Sequence, residues 1–297
     1  MNETTPGLSR RRVLQSGGAG AGGLMLAGCA TTGPTLVSSA SPRDHFWLWG
    51  HAAESHNRDW GLPEPSRITP VEAAHYMGIP NTIMVRYEGD PEPPFNRYAV
   101  PFRSLREVVW SVVGAAGATD DEEREGVLQL ARGEANFSGV MMDDFFTTGE
   151  DRRQPALSVE ELEALQGKLK SGSKPLDLWV VLYDHQLGDP VGEHLARCDV
   201  VTYWTWEANG LDALAENFAR AEELAPKARK VLGCYMWDYG TKQPMPISKM
   251  EAQCEQGLAW LREGRIDGMI FLASCICDLE LETVEWTREW IGRQGAA

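Results

Sequence analysis

Eight short runs rich in β-branched and aromatic residues recur along the chain, with segments of helical spacing between them, and this alternation constrains the fold more than any other feature. The runs are 45–50 (HFWLWG), 81–87 (NTIMVRY), 108–114 (VVWSVVG), 139–143 (GVMMD), 178–183 (LWVVLY), 200–204 (VVTYW), 230–236 (KVLGCYM) and 268–273 (GMIFLA). Residues 69–77 open with Thr-Pro, which suits a helix start, and 158–170 carry Ser158-x-x-Glu161, a capping box. Residues 211–224, 247–263 and 281–291 place apolar side chains three and four apart, and 120–131 is the expected helix after the third strand. Eight strands with their connections over about 250 residues describe a single (β/α)8 barrel, the TIM-barrel class of α/β folds. A doubly wound sheet would need a Gly-rich phosphate turn after the first strand, and His51-Ala52-Ala53-Glu54 is not one. The sequence shows no internal repeat and no second domain.

The 297 residues carry a formal charge of −15, which repels phosphate backbones and excludes general DNA or RNA binding. A hydrophobic fraction of 43% supplies a large core and excludes a disordered chain. Eleven Trp exceed what such a core needs, and rigid amphipathic rings grip flat ligands such as sugars.

The first forty residues read as targeting. Ser9-Arg10-Arg11-Arg12-Val13-Leu14-Gln15 resembles the twin-arginine export motif, with Val13 in place of the usual Phe and Gln15 in place of the usual Lys. The Gly-rich stretch that follows, 17–27, is far shorter than the ~20 residues a spanning helix requires, so it reads as a signal and not an anchor. Leu26-Ala27-Gly28-Cys29 resembles a bacterial lipobox, which implies lipidation of Cys29. These readings predict a signal peptide over 1–28, a flexible tether over 29–42 and the barrel over 43–297, held outside the cytoplasm on a bacterial membrane by the lipid. Five further cysteines, Cys198, Cys234, Cys254, Cys275 and Cys277, leave at least one unpaired. The spacing of Cys275 and Cys277 predicts two thiols on one face of a strand.

In a barrel of this class the C-terminal ends of the strands build the active site. Here they carry carboxylates and aromatics: His51, Tyr87-Glu88, Asp143-Asp144, Tyr183-Asp184-His185, Trp204-Thr205-Trp206-Glu207 and Trp237-Asp238-Tyr239. Such a mixture suits glycosidic bond cleavage, in which one carboxylic acid protonates the leaving oxygen and a second group stabilises a cationic transition state. Neighbouring carboxylates separate one another's proton affinities, so Asp143 and Asp144 are the expected catalytic pair. His51, Tyr87, Glu88, Asp184, Trp204, Trp206, Glu207, Trp237 and Asp238 are the expected substrate-binding residues. Trp204 and Trp206 share one side of their strand.

The apolar strand ending in Asp143-Asp144, followed by Trp204-Thr205 and Trp237-Asp238 on later strands, resembles the retaining β-N-acetylglucosaminidases of the O-GlcNAc hydrolase type. The resemblance implies that Asp143 orients the substrate's acetamido group and that Asp144 is general acid and base. Trp206 stands where that family has glycine, Tyr239 where it has asparagine, and its glycine-rich first-strand motif is absent. The resulting expectation is an exported, lipid-anchored glycoside hydrolase that acts on carbohydrate without a cofactor. Two rival readings share the rim: a non-catalytic carbohydrate-binding lipoprotein, and a metal-dependent lyase or isomerase using His51, Asp184 and His185 with Asp143 or Asp144. The rival metal set lacks the paired local spacing of dedicated sites, so no metal is expected.

Overall fold

A computed structural model describes residues 41–150 and 153–295. The expected signal peptide, Cys29 and tether residues 29–40 lie outside the described residues. Eight parallel strands close into a barrel: β1 (Phe46–Gly50), β2 (Asn81–Met84), β3 (Glu107–Val113), β4 (Phe137–Met142), β5 (Asp177–Tyr183), β6 (Val200–Trp204), β7 (Arg229–Tyr235) and β10 (Gly268–Leu272). β1 closes the ring by pairing with both β2 and β10. The remaining two strands, β8 (Trp237–Asp238) and β9 (Gln243–Pro244), form a small antiparallel hairpin after β7.

The barrel confirms the expected (β/α)8 class, with strand ends shifted from the predicted runs by a residue or two in most cases. The second run departs further. β2 stops at Met84 because the next residues leave the ladder and Tyr87 pairs antiparallel with Asp90, turning the chain at the barrel mouth.

Three helices begin at side-chain caps. Thr69 and Ser158 each close a capping box, ahead of α1 (Pro70–Met77) and α3 (Val159–Lys170). Asp120 caps α2 (Asp121–Gly133), whose acidic first turn lies at the positive end of the helix dipole. Two connections are reduced. The link from β2 to β3 contains only a 3-10 turn (Val100–Ser104), and the link from β5 to β6 contains a 3-10 turn (Asp184–Gln186) and the one-turn α4 (Gly192–Leu195). The predicted helix over 211–224 starts later, as α5 (Leu214–Leu224), because Ala208–Ala213 winds as 3-10. α6 (Ile247–Arg262) and α7 (Glu282–Gln294) complete the outer layer.

Large rings fill the barrel interior where glycine makes room. Trp47 meets Trp179 edge to face at 5.1 Å, and Trp49 meets Trp204 at 5.3 Å. A Cβ at Gly139 would stand 2.9 Å from Trp179, and one at Gly233 would stand 2.1 Å from the Trp204 ring. Interiors are packed to crystal density, so each glycine is the counterpart of a particular indole. All five cysteines of the barrel are free and buried. Cys275 and Cys277 do not share a strand face: the chain winds as 3-10 over Ser274–Ile276 immediately after β10.

Candidate active site

A cavity enclosing about 480 Å³ of empty space, solvent at its mouth included, opens at the C-terminal ends of the strands. Two carboxylates stand on one side of it. Asp143 directly follows β4, and its backbone amide still bonds to Val113 of β3 at 2.9 Å, so the barrel wall fixes its position. Asp143 Oδ1 accepts from the Asp144 amide at 2.9 Å. Burial, then the charge of Asp144, raises the Asp143 carboxyl well above the usual carboxylate range.

Asp144 turns away in the left-handed region, with φ 45°. Its Oδ1 accepts from the Tyr183 hydroxyl at 2.8 Å and its Oδ2 from the Ala116 amide at 2.8 Å. Ala116 is itself left-handed, at φ 58°. Two non-glycine residues in this region facing each other across one hydrogen bond mark a strained local geometry, and strain of this kind concentrates at functional sites. Burial and the Asp144 charge push the Tyr183 hydroxyl well up, so it remains a donor.

Aromatic rings make the remaining walls. Trp204 lies between Trp49 and Tyr235, its ring 5.0 Å from that of Tyr235, and its Nε1 donates to Thr202 at 2.9 Å. Trp206 stands edge to face with Tyr183 at 5.5 Å and with Tyr235 at 5.8 Å. Trp60 folds over the cavity from the loop after β1, at φ 62°, beside Gly61 at φ 67°. At Gly61 a side chain would meet both the left-handed backbone and the Lys242 carbonyl, 3.0 Å from its Cβ.

His51 Nε2 accepts from Trp49 Nε1 at 3.1 Å, which leaves Nδ1 to carry the proton and donate to the Val85 carbonyl at 3.1 Å. Burial lowers its pKa from 6.5 to about 4, so it is neutral near pH 7. His56, 4.9 Å away ring to ring, is lowered well below 6.5 by burial and by His51, and its Nδ1 meets the Tyr239 hydroxyl at 3.2 Å.

Asp143, Asp144, His51, Tyr87, Trp204 and Trp206 therefore line one cavity, as a shared site requires. The other expected residues stand elsewhere, each for a visible reason. Asp184 Oδ1 accepts from the amides of His185 and Trp206, tying the end of β5 to the loop that carries Trp206. Asp238 accepts from the amides of Ala208 and Thr241 at 3.2 Å, which occupies both oxygens in holding two loops. Trp237 Nε1 donates to the Trp60 carbonyl at 3.0 Å, so this ring supports Trp60 from behind. Glu207 is exposed ahead of the 3-10 turn, and Glu88 faces a depression beside the cavity.

Tyr183, Tyr235, Tyr239, Trp49, Trp60 and His56 join the cavity without having been singled out as ligand contacts. For Tyr183 and Tyr235 the signal was available, since each ends a strand on the face of an inward residue two positions earlier, Val181 and Gly233. His56 and Trp60 sit in an irregular loop, where no periodicity marks them. Among the described residues no three His, Cys, Asp or Glu side chains converge to hold a metal ion. His185 points outward, stacked on Tyr183.

No family model and no curated protein matches the chain in sequence. Solved structures match it in fold. A candidate α-L-fucosidase from Bacteroides thetaiotaomicron is 12% identical, with 87% of this chain and 98% of that one covered and a TM-score of 0.52. The GH18 chitinase ChiB from the chitin utilization locus of Flavobacterium johnsoniae is 10% identical, covering 84% and 94%, with a TM-score of 0.51. A xylanase and amylase inhibitor protein, XAIP-III, is 11% identical, covering 83% and 97%, also at 0.51. At these identities the likeness is one of fold.

Proposed function

We propose that this protein hydrolyses glycosidic bonds, with Asp143 as the proton donor and Asp144 as the anion that balances the cationic transition state. The observation that carries this reading is a pair of adjacent carboxyls in unlike surroundings at the end of β4, facing a cavity walled by aromatic rings. Burial supports Asp143 as the group that keeps a proton near neutrality. Asp144, an acceptor at both oxygens, is suited to the negative role. This exchanges the roles that the acetylglucosaminidase resemblance implies for the two residues. Trp206 would hold the face of a sugar ring, with the buried Tyr235 and Trp204 supporting it from behind. A chitinase and a candidate fucosidase on the same fold support a carbohydrate substrate by analogy alone.

Aryl glycosides and polysaccharides offered to wild type and to Asp144→Asn test the pair. Turnover of at least one substrate is expected, reduced about 100-fold or more in the variant, with an unchanged circular dichroism spectrum. Silence of the folded wild type across the panel sinks the hydrolase reading. Glycan binding by calorimetry under that silence would assign a non-catalytic carbohydrate-binding protein instead.

We further propose export by the twin-arginine route and a lipid anchor on Cys29, supported by the Arg10-Arg11-Arg12 motif and by Leu26-Ala27-Gly28-Cys29. Expressed in a bacterium with both export and lipidation machinery, the wild type is expected in the membrane fraction and Cys29→Ser in the soluble extracytoplasmic fraction. Membrane retention of the variant would remove the lipid anchor.

A further inference from the structure

We propose that the cavity and the acidic depression beside it take a glycan bearing free, protonated amino groups. The inference rests on the carbohydrate reading above and narrows it to a substrate class.

Hydrogen-bonding capacity comes first. Four donors that face the cavity are spent within the protein: Trp49 on His51, Trp204 on Thr202, Trp60 on Tyr87 and Tyr183 on Asp144. Acceptor capacity remains on Asp144, whose two oxygens each take one bond from the protein, from the Tyr183 hydroxyl and the Ala116 amide, and each can take a second. A neutral sugar hydroxyl both gives and takes, whereas an ammonium group offers three donors and needs no donor in return. The cavity suits the second.

Charge points the same way. Among the described residues no Lys or Arg lines the cavity, and its two histidines are neutral near pH 7. Its walls present indole and phenol faces, which attract cations through their negative π-faces. Lys242 already shows this preference on the outer side, where its Nζ lies 5.5 Å from the Trp60 ring centroid.

The cavity also borders an acidic depression. Tyr87 lines both, and its hydroxyl donates to Asp59 at 3.2 Å. Beyond it, Glu54, Asp59, Glu88 and Asp90 surround a depression whose one cationic residue is Arg58. On the far side of Glu88, Arg86 is taken up by an ion pair with Glu123. A sugar chain leaving the cavity across Tyr87 would therefore pass a row of carboxylates, as a chain with repeated ammonium groups requires.

Three tetrasaccharides of one linkage isolate the chemistry: the β-1,4 tetramer of glucosamine, its fully N-acetylated counterpart and cellotetraose, which differ only in carrying ammonium, acetamide or hydroxyl at C2. Titrated into the purified protein at pH 6 in a calorimeter, the glucosamine tetramer is expected to bind about tenfold or more tightly than either other. Raising the salt to about 0.5 M should shrink the preference, because exposed charges at the depression are screened. Equal or tighter binding of the acetylated or neutral tetramer overturns the inference, and so does absence of binding by all three.

Trp206→Ala separates the site from adsorption onto an acidic surface. Loss of binding is expected, and binding retained by this variant also overturns the proposal. Chromatography of the same samples separates this inference from the hydrolase reading. Cleavage without preference for the amine keeps the hydrolase and removes the ammonium class, whereas preferential binding of the amine without cleavage does the reverse.

Discussion

Asp143→Asn is expected to lower kcat by about 100-fold or more on any substrate the wild type cleaves, and at the same time to raise the melting temperature at pH 7. Both effects come from the same burial. A carboxyl whose pKa in the folded state is raised well above 3.8 holds its proton there at pH values where the unfolded chain has released it. Between those two pKa values the folded state binds more protons than the unfolded state, so stability falls as pH rises. Asn is neutral throughout and does not carry that loss. The melting temperatures of wild type and variant should therefore coincide near pH 4 and separate as pH increases, by about 2–4 °C for each kcal/mol in a chain of this size.

The general-acid role gives a matching kinetic signature, since kcat should fall as pH rises through the raised pKa. His51 and His56 set the opposite limb. Their folded pKa values lie below the ordinary 6.5, that of His51 at about 4, so stability is lost as pH falls below 6.5, where unfolded imidazoles protonate first. Thermal scans and kcat at several pH values check the whole account. A variant that melts below wild type at pH 7 would refute the burial argument, and one with undiminished turnover would refute the assignment of the acid.

The sequence carried the barrel because its determinants are local. Each parallel strand is buried on both faces and so reads as a continuous apolar run, and each cap is a short motif such as Thr69-x-x-Glu72 or Ser158-x-x-Glu161. The site was only partly legible. Asp143, Trp204 and Tyr183 lie at strand ends, where the two-residue period fixes the direction of a side chain. Asp238 and Trp237 also follow a strand, yet β8 begins a hairpin there and sends them to hold Ala208 and Trp60. Trp60 and His56 enter from the loop between β1 and α1, through left-handed residues that follow no period. The 3-10 turn that removes Cys275 and Cys277 from strand geometry has the same cause: the backbone leaves β10 at Ala273, and the side-chain period ends with the strand.

Gly233→Ala tests whether the cavity wall is built by that packing. The added Cβ would stand 2.1 to 2.4 Å from three atoms of the Trp204 indole, closer than non-bonded carbon atoms approach. The indole cannot retreat sideways, since Trp49 and Tyr235 flank it and its Nε1 is bonded to Thr202. Overpacking of this kind costs about 1–3 kcal/mol. The strain is relieved only by pushing Trp204 into the cavity, so we expect a melting temperature lower by several degrees, on the order of 2–4 °C per kcal/mol, together with at least about tenfold weaker glycan binding.

Trp204→Ala removes the ring atoms in conflict, so in its background Gly233→Ala should cost little, giving a clear coupling energy in a double-mutant cycle. Gly167→Ala is the control. It lies exposed in α3 with nothing within 4 Å of the added carbon, and there the same substitution is expected to stabilise by roughly 0.5–1 kcal/mol, through a less flexible unfolded chain and a better helix former. Opposite signs at the two glycines would follow from space alone. Equal and small effects at both would mean that Trp204 is not held against β7, and that the aromatic wall of the cavity is not a fixed surface.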